Sequence, residues 1–182
     1  KNKSSLAPAK PIGKVFFFCD EFTNYNDVVI GIKSLQLLSK LGYAVEIPNH
    51  VESGRAFISK GLLKEAKSLA DKNVELLSKV VKTNEPLIGI EPSALLTFRD
   101  EYPRLVKKDL KEAAKQLSKN TFLIDEFIAQ EIKAGKINPE LFTKESKYLG
   151  VLLIEQNWGV EQCLDLENKI RSINCIDQIK WE

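Results

Sequence analysis

The chain has 182 residues, of which 43% are hydrophobic and 29% charged, and its formal net charge is +2 at neutral pH. That balance supplies enough apolar material for a core and no field strong enough to recruit nucleic acid or an anionic membrane. No apolar run approaches the roughly 20 residues that span a bilayer, so no transmembrane segment is expected, and no signal-peptide pattern opens the chain. The three cysteines, Cys19, Cys163 and Cys175, form no C-x-x-C pair. Neither a disulfide framework nor a zinc site is therefore expected, and the expected compartment is the reducing cytoplasm. The sequence begins at Lys1 and contains no methionine, which reads as an excised or processed piece.

Residues 1–13 carry Pro8, Pro11 and Gly13 and few large apolar side chains, the composition of a linker. Lys14–Cys19 (KVFFFC) is a continuous apolar run and predicts a strand covered on both faces. Asp27 is placed to cap a helix with Val28, Ile32, Leu35, Leu38 and Leu41 on one side and Gly42 as its stop. Ala44–Pro48 is a second strand. From Ser59, the spacing Leu62, Ala66, Leu69, Asn73, Leu77, Val80 predicts a long amphipathic helix. Pro86–Ile90 is a third strand.

Strand and helix alternating in this way is the grammar of parallel crossovers. The fold class is therefore α/β: three layers, Rossmann-like, with a parallel sheet of three to five strands, turning helical after the third strand. Pro92 suits the first turn of a short helix that ends before Pro103. A helix follows over KKDLKEAAKQL. Asn120 or Thr121 caps the next, which Gly135 ends, and Asn138-Pro139 opens a further turn. Val151–Glu155 predicts a fourth strand, residues 160–172 a helix and Cys175–Trp181 a final short strand.

Ligands of open α/β sheets bind outside the carboxyl ends of the strands. Three polar loops stand there: Cys19 to Asn26, including Asp20, Glu21 and Asn24; Asn49 to Arg55, including His50, Glu52 and Ser53; and Glu91 to Ala94, including Ser93. Each residue has a plain structural reading beside a chemical one. Cys19 is an inert thiol or a nucleophile, and His50 satisfies a turn or acts as a base or metal ligand. Asp20, Glu21, Glu52 and Glu91 cap helices and solvate loops, or include a carboxyl of raised pKa. Arg55 forms an ion pair with Glu52 or Glu91, or helps backbone amides hold a small anion. A Cys19, His50 and Glu52 or Glu91 set would suit a small stand-alone enzyme. No phosphate-loop spacing follows Gly54, so nucleotide binding has no motif.

Three segments carry a resemblance: FFFCDEFTNYND, the PNHVESGRAFISKGLL stretch with the helix after it, and IGIEPSALLTFRDEYPRL. From about Lys14 to Tyr148 the chain resembles the cysteine-rich domain of iron–sulfur oxidoreductases. These include the glycolate oxidase, lactate-utilisation, anaerobic glycerol-3-phosphate dehydrogenase and heterodisulfide reductase types. In that family a Gly-Cys-like step, a Cys-Cys-Gly signature and a Pro-Ser-x-Cys-like turn supply thiolates to a 4Fe–4S cluster, and the domain occurs as two halves in tandem.

The resemblance implies a parent protein with FAD and 4Fe–4S clusters in other domains or subunits, which would be the partners of this chain. It also exposes departures. Glu52-Ser53-Gly54 stands where Cys-Cys-Gly would, and Ala94 where the third turn would carry cysteine, so Cys19 is the one retained ligand position. One thiolate cannot hold such a cluster, and carboxylate and hydroxyl are poor substitutes for soft ligands. The expected function is a non-catalytic, cluster-free module of a D-lactate/glycolate dehydrogenase-type enzyme, a scaffold or docking surface for electron-transfer domains. A 4Fe–4S electron-transfer domain would require ligands from elsewhere. Residues 149–182 match no second half, and are expected to be a divergent segment packed on the same domain.

Overall fold

Three consecutive phenylalanines decide where the sheet sits. Phe16, Phe17 and Phe18 are all buried, and in an extended chain alternate residues point to opposite faces. Phe16 and Phe18 enter one apolar cluster; Val15 and Phe17, on the other face, are equally enclosed. The sheet is therefore covered on both sides, as the unbroken apolar run predicts.

The computed structural model describes residues 8–142. Two compact units divide the chain, Lys1–Phe127 and Ile128–Glu182. The first holds a four-stranded parallel sheet in the order β2-β1-β3-β4. Its elements are β1 (Gly13–Phe17), α1 (Glu21–Tyr25), α2 (Val28–Lys40), β2 (Tyr43–Glu46), α3 (Arg55–Ser59), α4 (Leu63–Leu77) and β3 (Leu87–Gly89), then α5 (Pro92–Leu96), a π-helical turn (Thr97–Glu101), α6 (Tyr102–Leu105), a 3-10 turn (Lys108–Leu110), α7 (Lys111–Lys119), β4 (Thr121–Leu123) and the start of α8 (Ile124–Lys133). Val15 pairs with Val45, Phe17 with Ile88 and Ile88 with Phe122. In the second unit α8 ends before Gly135, and a 3-10 turn follows at Pro139–Leu141. The segments expected at Val151–Glu155, 160–172 and Cys175–Trp181 lie outside the described residues.

Several expectations are corrected. The fourth described strand is Thr121–Leu123, a stretch whose sequence reads as the beginning of a helix. Its Leu123 pairs with Gly89, and three residues are too few to show a strand period. The helix expected from Ser59 starts only at Leu63, because Gly61 adopts φ 73° and separates it from α3, which ends at Ser59. The apolar face of α2 is also rotated from expectation. Gly31, Ser34 and Leu38 are buried, whereas Val28 and Ile32 stay 44% and 49% exposed. A Cβ at Gly31 would stand 2.7 Å from the Thr23 methyl, so the bare glycine lets α1 close onto that side.

The helix beginning at Pro92 does not stop before Pro103. Proline lacks an amide and crowds the carbonyl four residues back, here that of Arg99. A single π turn widens the helix there, with the Tyr102 amide donating to the Thr97 carbonyl. The Arg99 carbonyl instead accepts from Ser118 Oγ at 3.4 Å. α6 thus continues beyond the π turn with Pro103 in its first turn.

The core on the α4 side joins β1 and β3 to α4, α5, the π turn and α7. Phe98 makes an edge contact with Phe18 at 4.8 Å and a tilted one with Tyr102 at 4.4 Å. Burying such rings contributes roughly 1.5–3 kcal/mol each. Gly89 is required by close approach, since a Cβ there would meet Leu95 Cδ2 at 2.3 Å.

Candidate functional site

Because β1 lies between β2 and β3, the loops after these three strands emerge side by side. The chain moves from β1 to one neighbour and then returns across it to the other, which makes this end of β1 the topological switch point of the sheet.

The first loop is shaped by Asp20, which is fully buried and caps α1. Its Oδ1 accepts from the Phe22 and Thr23 amides at 2.8 and 3.0 Å, and its Oδ2 from the Thr23 hydroxyl. Glu21, in the first turn of α1, reaches the second loop. Its carboxylate accepts from Ser53 Oγ at 2.7 Å and from the Ser53 amide at 3.0 Å. Cys19 is partly buried, with a long thiol contact of 3.9 Å to Asn24 Oδ1. Burial first, then the Asp20 charge, push its thiol above the ordinary value, the opposite of what activates a nucleophile.

In the second loop, the His50 ring stands 4.4 Å from that of Phe18. Its Nδ1 lies 3.0 Å from the Val51 carbonyl, to which the Nδ1–H tautomer donates. Burial lowers the His50 pKa, against the opposing pull of that carbonyl and of the Asp20 and Glu21 charges. No hydrogen bond joins Cys19 to His50 among the described residues. Glu52 contributes its carbonyl to Asn73 Nδ2 at 2.9 Å. It also lines an open cleft of about 300 Å³ with Phe57, Glu65, Ser68 and Leu69. Gly54 adopts φ 77° immediately before α3, a conformation that glycine takes without the steric cost other residues meet.

Arg55 pairs with Glu101 at 2.9 Å, in place of the Glu52 or Glu91 that the sequence suggests. The amides of Ser53 and Arg55 already donate to Glu21 and to Ser53 Oγ. In the third loop, Glu91 caps α5 and accepts from Ser93 Oγ at 2.6 Å and the Ser93 amide at 3.2 Å. The Ser93 carbonyl accepts from Thr97 Oγ1 at 2.8 Å. The side-chain bonds of Glu91 and Ser93 thus stay within their own segment.

Three residues absent from the sequence-based site complete the rim. The Tyr102 hydroxyl donates to the Ser53 carbonyl at 2.8 Å and accepts from Asn73 Nδ2 at 2.9 Å. Asn73 Oδ1 accepts from the Val51 amide at 2.9 Å. Burial drives the Tyr102 hydroxyl strongly toward its protonated form, so it remains a donor. Glu101 holds Arg55. The signal for them in the sequence is a polar Asn73 on the apolar stripe of α4, together with a tyrosine between Glu101 and Pro103.

The described residues of the rim do not by themselves supply the thiolates of a 4Fe–4S cluster. Among them Cys19 is the single thiol, Ser53 is committed to Glu21, and the Ala94 methyl is part of the apolar core. Among the described residues no group of three or more His, Cys, Asp or Glu side chains could hold a metal ion. Among those residues, too, no helix is long and apolar enough to cross a membrane.

No protein-family model matches the chain, and no solved structure matches it significantly. Curated relatives do. The chain is 28% identical over 145 residues to D-2-hydroxyglutarate dehydrogenase of Pantoea ananatis, covering 80% of this chain and 13% of that protein. It is 27% identical over 118 residues to the Escherichia coli K12 enzyme of the same name, covering 65% of this chain and 11% of that protein. To one subunit of the anaerobic glycerol-3-phosphate dehydrogenase of Escherichia coli K12 it is 29% identical over 100 residues, 54% of this chain and 25% of that subunit. The aligned part of the chain thus spans between 11% and 25% of these relatives. Its homologues are dehydrogenases, and it matches a minor segment of each.

Proposed function

We propose that this chain is a cluster-free, non-catalytic module of an FAD-linked iron–sulfur oxidoreductase of the D-lactate/glycolate dehydrogenase type. The observation that carries the reading is the similarity to dehydrogenases over as much as 80% of this chain but only 13% of the relative concerned. A match to so small a segment of a dehydrogenase supports a module rather than the whole activity, and the described residues of the rim offer one thiol where a cluster requires several. The module is a degenerate cysteine-rich domain over 14–148, preceded by a linker at 1–13 whose last residue, Gly13, already opens β1. Residues 149–182 are a segment of divergent sequence. It serves as scaffold or docking surface for domains that carry flavin and clusters, and it works in the cytoplasm.

The test of the cofactor claim is anaerobic reconstitution of the chain with iron and sulfide. The expected product is colourless, and a stable brown protein with broad thiolate-to-iron absorption sinks the claim. The scaffold role is tested in the longer protein by removing residues 14–148. Flavin reduction by a 2-hydroxy acid persists and onward electron transfer falls; loss of flavin reduction itself refutes the role.

A further inference from the structure

Ser53 is fully buried and uses every polar group it has. Its amide and hydroxyl donate to the two oxygens of Glu21 on α1. Its Oγ also accepts from the Arg55 amide at 3.1 Å, and its carbonyl accepts from the Tyr102 hydroxyl. Tyr102 is in turn held by Asn73 of α4. One residue thus joins the first loop, the second loop, α3 and α6, across sequence separations of 32 and 49.

We propose that Ser53 is the hub of a clasp, closed by Glu21 and Tyr102, that cross-links the loop rim without any cofactor. The inference rests on the cluster-free reading above and goes beyond it by naming what holds the rim in place of thiolates. The atom types support it. A serine hydroxyl is short and a good donor, whereas a thiol is a weak donor and a weak acceptor. The 2.7 Å bond to Glu21 is an oxygen–oxygen length that sulfur would not allow. Gly54 beside it holds φ 77°, which turns the chain directly from the hub into α3. The clasp is specific to oxygen, so restoring the signature thiol by Ser53→Cys loosens the rim.

The test is residue-resolved amide hydrogen exchange on the full 182-residue chain, freed of metal by chelation. The Ser53 and Arg55 amides are expected to be protected in the metal-free wild type. In Glu21→Ala, Ser53 protection falls by about tenfold or more while the β3 amides stay protected, the pattern of local rather than global opening. If Glu21→Ala unfolds, Glu21→Gln and Ser53→Cys give the same readout with smaller perturbation. A coil-like Ser53 amide in the metal-free wild type, or protection indifferent to these variants, overturns the clasp. Iron and sulfide added to the same sample separate the two ideas. Cluster uptake with unchanged rim protection overturns only the cluster-free reading. An unprotected rim without uptake overturns only the clasp.

Discussion

The Tyr102 hydroxyl lies 2.8 Å from the Ser53 carbonyl, a buried bond between residues 49 apart in the chain. Tyr102→Phe removes the donor and leaves two buried groups, that carbonyl and one Asn73 N–H, without their partner. A lost partner in such a site costs about 1–3 kcal/mol. Urea denaturation is expected to show the midpoint falling at unchanged slope; a loss below about 0.5 kcal/mol would show that the bond contributes little.

Gly89 carries no side chain because Leu95 occupies the space, with Cδ2 2.3 Å and Cγ 2.9 Å from where a Cβ would sit. Leu95 is itself fully buried and cannot swing aside. Gly89→Ala is expected to cost about 1–3 kcal/mol through overpacking. Adding Leu95→Ala opens the same space, so the double variant is less destabilised than the sum of the two single ones. Additive losses in thermal or chemical unfolding would contradict the close contact.

Stability should fall on mild acidification because of His50, the single histidine in the chain. Its folded pKa is lowered from 6.5, chiefly by burial. Between that lowered value and 6.5 the unfolded chain binds more protons than the folded one, so stability rises with pH in this window and levels off above it. Asp125, whose carboxyl burial raises from 3.8, acts in the opposite sense, beginning nearer the carboxylate range. Unfolding measured from pH 7 to 5.5 should therefore lose stability in the wild type and flatten in His50→Gln. Parallel profiles for the two proteins would remove His50 from the account.

Glu126 does two jobs at the start of α8. Both its oxygens accept from Arg99 Nη1, at 2.9 and 2.7 Å, and Oε2 also accepts from the Leu123 amide at 3.0 Å. The second contact is half of a capping box. Glu126→Gln keeps an acceptor for the amide but removes the charge, and half-exposed pairs of this kind contribute about 1 kcal/mol or less. Glu126→Ala loses the cap as well, for a total of about 1–2 kcal/mol. The difference between wild type and Glu126→Gln should shrink in high salt, while the further loss in Glu126→Ala should persist. A salt-independent difference for Glu126→Gln would deny the ion pair its contribution.

Much of the architecture is set by local physics and is legible in the sequence. Three consecutive phenylalanines demand cover on both faces, whatever supplies it. Asp20 and Glu91 stand before helices with an oxygen available to cap them, and positive-φ glycines stop α2 and α8. Those features depend on near neighbours in the chain. What only tertiary structure decided depends on distant ones. β4 is a strand because β3 lies beside it, α2 turns its valines outward because Gly31 meets Thr23, and the helix survives Pro103 through a π turn and a hydroxyl from α7. The rim shows the same division. The sequence brought the polar residues to three loop ends, and parallel pairing placed those ends together. That Glu21 would take Ser53, Arg55 would take Glu101 and Tyr102 would reach back to the second loop follows from packing across 32, 46 and 49 residues. No local pattern encodes such distances, because a hydrogen bond is chosen by the position of its partner in space.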